Sequence, residues 1–164
     1  MIRIYVNYFL HLDFTNVKNI YMINSPFWLN KLKDGLEKRP LVWLSGVRRS
    51  GKTKICRMLP DAVYMNCDLP SVQRQLDNTE FFFGNLSERS MVIFDEIHRL
   101  KNPSEVLKIG TDVFPELRIL ATGSSTLEAT RKFRDSLTGR KIQIQLLLLV
   151  STDQGKLYTQ SFRY

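Results

Sequence analysis

Gly46-Val47-Arg48-Arg49-Ser50-Gly51-Lys52-Thr53 is the segment of this chain best suited to do chemistry. Two glycines enclose four free positions, and a lysine and a threonine follow directly. A glycine-rich turn at the mouth of a helix aims successive backbone N–H groups at one point, where the helix dipole adds positive character. Such a nest suits phosphate. Lys52 is then placed to reach β- and γ-phosphates, and the Thr53 hydroxyl to ligate a magnesium ion. Gly46 through Lys54 form the expected nucleotide-contacting set. Arg48 and Arg49 occupy free positions of the loop, where side chains usually face solvent or neighbouring protein.

Asp95-Glu96 follow the apolar run Met91-Val92-Ile93-Phe94. Two acids at the end of a buried strand are the usual complement of a phosphate loop. Asp95 is expected to hold a water of the magnesium ion, completing the site that Thr53 opens. Glu96 is expected to point the other way across the pleat and to activate the attacking water. Thr122, Ser124 and Ser125 offer short hydroxyls at the tip of the next strand. Thr122 or Ser124 is expected to contact the γ-phosphate; Ser124 or Ser125 also suits the N-cap of a following helix. Arg140 closes the last connection before a final strand. It could stabilise transition-state charge, in cis or from a neighbouring subunit, or be a solvated loop residue. His98 has no carboxylate or serine at triad spacing and reads as a surface residue.

These groups need a frame. Leu41–Ser45 is an apolar run bounded by Pro40 and Gly46, as a buried strand should be. Lys54–Leu59 reads as a helix stopped by Pro60. Ahead of them, Phe27–Leu36 reads as a helix capped by Ser25, with Pro26 at its first position. Ala62–Cys67, Met91–Phe94, Leu117–Ala121 and Ile142–Val150 are further strand candidates. Ser71–Leu76, Pro103–Phe114 and Thr126–Leu137 read as helices. Val106, Ile109 and Val113 form the expected apolar stripe of the second of these, and Phe81-Phe82-Phe83 an expected buried cluster. Strands alternating with helices predict a three-layer α/β domain on a mainly parallel sheet of five strands. Ligands of such sheets sit beyond the carboxyl ends of the strands, so the three motif-bearing tips should converge.

The chain has 164 residues, ordinary hydrophobic content (43%) and a formal charge of +8. The charge favours an acidic partner, nucleic acid among them, yet the basic residues are dispersed and read mainly as a solvated surface. No zinc-finger spacing, aromatic RNA-binding motif or clear helix-turn-helix accompanies them. Cys56 and Cys67 are the two cysteines; neither has a metal-ligand neighbour at useful spacing, and both read as reduced core residues of a cytoplasmic protein. No stretch approaches the ~18 apolar residues that cross a bilayer. Residues 1–25 read as an N-terminal extension, and Met22 as the expected translation start. Residues 26–150 form the expected ATPase domain.

Together the segments Leu44–Thr53, Val92–His98, Ile119–Ser125 and Leu137–Arg140 resemble a prokaryotic AAA-type ATPase family. In that family the AAA domain is often followed by a separate C-terminal domain of unknown function. The resemblance runs from about Pro26 to Lys141. It implies ATP with Mg2+, hydrolysis, and the sheet of the additional-catalytic-glutamate branch of P-loop NTPases, in which the fourth strand lies between the first and third. It also implies that the last strand borders the first. Lys54 stands where relatives often carry a second threonine. Residues 151–164 depart from the family pattern; they read as an aperiodic, flexible tail, and the chain as a truncated or frame-disrupted member.

Three functions compete on these grounds. The first is an ATP-hydrolysing AAA-like enzyme, with a protein partner or a homo-oligomer as its context. The second is an ATP-binding switch or remnant with negligible turnover. The third is a basic nucleic-acid-binding module regulated by nucleotide. Glu96 favours the first, the divergent tail the second and the net charge the third.

Overall fold

The computed structural model describes residues 26–124, 137–146, 149–151 and 157–159. Pro26, whose fixed φ suits a first helical turn, opens helix α1 (Pro26–Lys38). There follow β1 (Leu41–Gly46), α2 (Lys52–Arg57), β2 (Ala62–Asn66), α3 (Pro70–Gln75), α4 (Thr79–Gly84), β3 (Met91–Asp95), α5 (Pro103–Asp112), β4 (Arg118–Ser124) and β5 (Lys141–Leu146). The expected extension, residues 1–25, and most of the helix expected at Thr126–Leu137 lie outside the described residues.

Five strands form one sheet in the order β2-β3-β4-β1-β5, and every pairing in it is parallel. β4 lies between β1 and β3, and β5 borders β1, as the resemblance implied. Parallel strands are buried on both faces, which is why β1 and β3 read as continuous apolar runs rather than alternating ones. On one face α1, α2 and the turn after α2 pack Leu32, Leu36, Ile55 and Leu59 onto Val42, Leu44, Ile93 and Leu120. On the other, α4 and α5 supply Phe82, Phe83, Val106 and Leu107 against Leu41, Trp43, Phe94 and Ile119. Phe83 meets Phe94 edge-on at 6.0 Å between ring centroids.

Three local expectations are corrected. Phe81 does not join its neighbours in the core: it is 69% exposed, because a single turn of helix sends consecutive side chains about 100° apart. In α5 the buried residues include Val106, Leu107 and Gly110, while Val113 is exposed. Gly110 sets that rotation. A Cβ there would come within 2.5 Å of Ile119 and 2.8 Å of Phe83, so the helix makes its closest approach at a residue without a side chain. The last apolar run is split. β5 ends at Leu146, and β6 (Leu149–Ser151) pairs antiparallel with β7 (Leu157–Thr159) in a separate two-stranded ribbon. Part of the expected aperiodic tail is therefore strand; residues 152–156 and 160–164 lie outside the described residues. Among the described residues no helix is long and apolar enough to cross a membrane.

Candidate functional site

The sequence from Gly46 to Lys52 closes a tight loop between β1 and α2. Gly46 is packed so closely that a Cβ would fall 2.7 Å from the Leu146 carbonyl oxygen and 2.8 Å from the Ser50 hydroxyl. Gly51 precedes α2 with φ of 92°, a left-handed value that residues with a side chain rarely adopt. Arg49 pays that strain, with φ of 64°. The loop thus turns back over β1, and the start of α2 faces the carboxyl ends of the strands.

Lys52 is 5% exposed, and its ammonium donates to the carbonyls of Gly46 and Val47, 3.0 Å from each. Burial lowers its pKa, while the charges of Glu96 and Asp95 oppose that fall. The Ser50 hydroxyl is buried with no hydrogen-bond partner among the described residues. Buried polar groups are normally paired, so an orphan inside a phosphate loop marks a place for an external oxygen.

Asp95 ends β3 and is 3% exposed. A buried carboxylate is costly unless its oxygens are satisfied. Here Tyr64 donates its hydroxyl to one oxygen and Thr122 donates to the other. The geometry follows from the register. Tyr64 lies opposite Ile93, Asp95 stands two residues further on the same pleat face, and the length of a tyrosine spans that step. The Arg57 guanidinium lies 5.3 Å from the centre of the Tyr64 ring, tying α2 to the same group. Burial, and then the hydrogen bond to Asp95, push the Tyr64 hydroxyl pKa up.

Glu96 leaves the pleat. Its φ of 55° and ψ of 42° are left-handed, so the expected alternation across the strand is replaced by a sharp turn. Its backbone N–H donates to the Thr122 hydroxyl at 3.1 Å. The chain then folds into a short 3-10 turn (Ile97–Arg99), which brings His98 back beside Glu96. His98 Nδ1 lies 3.2 Å from Glu96 Oε2, without the alignment of a good hydrogen bond. His98 therefore has the carboxylate neighbour that its spacing in the sequence concealed.

A cavity of about 510 Å3 opens over this loop, lined by Arg49, Ser50, Gly51, Lys52, Thr53, Lys54, Arg57, Met58 and Glu96. Thr53 is exposed there. A larger concavity, about 610 Å3, lies beyond β2 and β3 and is lined by Arg74, Asp77, Glu80, Lys101 and Glu105 among others. Its charges are mixed and no phosphate-loop residue opens on it, so chemistry favours the smaller cavity.

Two expected roles move. Thr122 is fully buried and its hydroxyl both donates to Asp95 and accepts from Glu96, so it braces the two acids and has no capacity left for a γ-phosphate. Arg140 precedes β5, whose Lys141 pairs with Leu41 at the start of β1. The phosphate loop begins five residues further along, about 16 Å at strand rise. Arg140 instead pairs with Asp112, Nε to Oδ1 at 2.8 Å, at the opposite end of the sheet. A role in cis at the nucleotide is excluded by that placement. Ser124 ends β4 in register with Gly46; its side chain and the following helix cap lie outside the described residues. Arg48 is exposed and Val47 contributes its carbonyl to Lys52. Tyr64 and Arg57, which join the site through Asp95, belong to no sequence motif.

The model of the AAA domain family matches residues 38–152, most of the chain. The chain belongs to that family. No protein with a curated description matches the sequence significantly. Among solved structures, a Walker-type ATPase of Pyrococcus abyssi is similar, with TM-score 0.56 and 19% identity over 80% of this chain and 55% of that one. A RuvB variant of Thermotoga maritima follows, with TM-score 0.51 and 21% identity over 77% of this chain and 45% of that one. Both share the P-loop fold. This AAA chain spans about half the length of either.

Proposed function

We propose that this AAA domain binds ATP together with a magnesium ion and hydrolyses it to ADP and phosphate. One arrangement carries the reading: Lys52, a locked acid (Asp95) and a turned-out acid (Glu96) meet at one end of the sheet, with Lys52 and Glu96 lining one cavity. Family membership supports a nucleotide ligand, and the two acids in different settings support turnover.

The residues fit magnesium. It demands few protein ligands and keeps waters and substrate phosphates around it. Among the described residues no three His, Cys, Asp or Glu side chains cluster as a dedicated cage, so a site of this kind would rest on Thr53 and, through water, on Asp95. When bound, the ion neutralises charge on the phosphates. The remaining work falls to the chain. Lys52 exchanges its two carbonyl partners for phosphate oxygens, and Ser50 and the amides of the loop receive the rest. Glu96 accepts a proton from the attacking water, as oxygen bonds to the terminal phosphorus and the bond to ADP breaks. Thr122 keeps both acids in place from behind. With Arg140 unable to act in cis, a further cation would come from Arg49, Lys54 or Arg57, which line the cavity, or from a neighbouring copy or protein partner.

A cytoplasmic location belongs to the same proposal, since Cys56 and Cys67 are free and buried. The test is phosphate release from ATP with magnesium or with a chelator, with and without DNA, at two salt concentrations. Release that requires magnesium supports the reading. ATP bound without release would make the protein a switch, and release dependent on DNA would favour the nucleic-acid module.

A further inference from the structure

The contact between His98 and Glu96 has a geometry that the hydrolysis proposed above does not use. The 3-10 turn carries His98 back so that Nδ1 sits 3.2 Å from Glu96 Oε2. That nitrogen is closed off from solvent, although the side chain as a whole is a quarter exposed. Gly123 of β4 lies beneath the imidazole: a Cβ there would make an ordinary 3.5 Å contact with His98 Nδ1, whereas the buried Trp43 ring, 2.5 Å away, is what requires glycine at this position. Glu96 lines the nucleotide cavity and His98 does not; the histidine reaches the carboxylate from behind.

At 3.2 Å, a lone pair on Nδ1 would face the lone pairs of the carboxylate and repel them. The approach is favourable when Nδ1 carries a proton. The nitrogen has no hydrogen-bond partner among the described residues, and Glu96 Oε2 is the carboxylate oxygen beside it. We propose that His98 is a positioning residue for hydrolysis: its Nδ1–H steadies Oε2 of Glu96 and leaves Oε1 to the attacking water. The backbone of Glu96 is pinned separately by Thr122, so His98 is left to govern the orientation of the side chain alone. The inference rests on Glu96 acting as the base.

The test uses three substitutions that differ in where a donor is offered. His98→Asn puts an amide N–H near the place of Nδ1, His98→Gln puts one near the place of Nε2, and His98→Ala offers none. Steady-state hydrolysis and binding of a non-hydrolysable ATP analogue are measured for each. His98→Ala should lower kcat on the order of 10-fold or more, within the range of a partly lost general base, with KM and analogue affinity nearly unchanged. His98→Asn should recover most of the loss and His98→Gln should not. Nitrogen-15 spectra of the labelled imidazole should show the proton on Nδ1. Unchanged kcat in His98→Ala, equal rescue by Asn and Gln, or a neutral ring protonated on Nε2 alone would each overturn the proposal. Wild-type protein without magnesium-dependent hydrolysis, or Glu96→Gln turning over like wild type, would instead defeat the hydrolysis reading beneath it.

Discussion

At the carboxyl ends of the strands, Lys52, Asp95 and Thr122 are buried; Lys52 donates to carbonyls of the phosphate loop, and Thr122 donates to Asp95. At the opposite end, Arg140 and Asp112 form a bidentate pair in the open, 2.8 and 3.1 Å between partner atoms. Arg140 and Asp112 have good ion-pair geometry, yet theirs is the less consequential interaction. Water screens an exposed pair and side-chain entropy opposes it. A buried carboxylate stripped of a donor has nothing to replace it. The contrast shows that in this molecule burial, and not the count of charges, marks the end where chemistry belongs.

The comparison breaks most visibly at Lys52. Lys52→Ala removes the single charge buried within the loop and should weaken ATP binding roughly 10- to 100-fold, the scale of a lost charge-assisted hydrogen bond. Titration with a fluorescent ATP analogue measures it; equal affinity would remove the phosphate loop from the account.

Tyr64→Phe sharpens the comparison from inside. It deletes one of the two hydroxyls on Asp95 and should cost about 1–2 kcal/mol of stability, since the partner is a buried carboxylate but the tyrosine itself is only partly buried. It should also raise the magnesium concentration needed for half-maximal activity. Urea denaturation and a magnesium titration give the two readouts.

Arg140→Ala, at the other end, should leave melting temperature and ATP affinity within error of wild type. A stability loss comparable to that of Tyr64→Phe would mean that the exposed pair matters as much as the buried one, and the contrast would fail.

The strands were legible because a parallel sheet buried on both faces leaves continuous apolar runs, as in Leu41–Leu44 and Val92–Phe94. The phosphate loop was legible because its glycines answer local demands: Gly51 a left-handed φ, Gly46 a close approach. What stayed hidden depends on contacts across the sheet. Tyr64 reads as an ordinary strand residue until β2 and β3 are set in register. His98 lacked a partner because the left-handed turn at Glu96 is invisible in a strand pattern. Arg140 suggested itself by type and by family context, and only the direction of β5 places it far from the loop. The rotation of α5 is hidden in the sequence because Gly110, which faces Ile119 and Phe83, carries no hydrophobic signal.

The central claim is that Glu96 is the base of a magnesium-dependent ATPase. Phosphate release by wild type and Glu96→Gln, measured beside ATP-analogue binding, tests it most directly. Glu96→Gln should bind the analogue as wild type does and release phosphate roughly 100-fold more slowly or worse, the scale of a lost general base. Turnover by the variant at the wild-type rate, with magnesium present and binding intact, would contradict the claim.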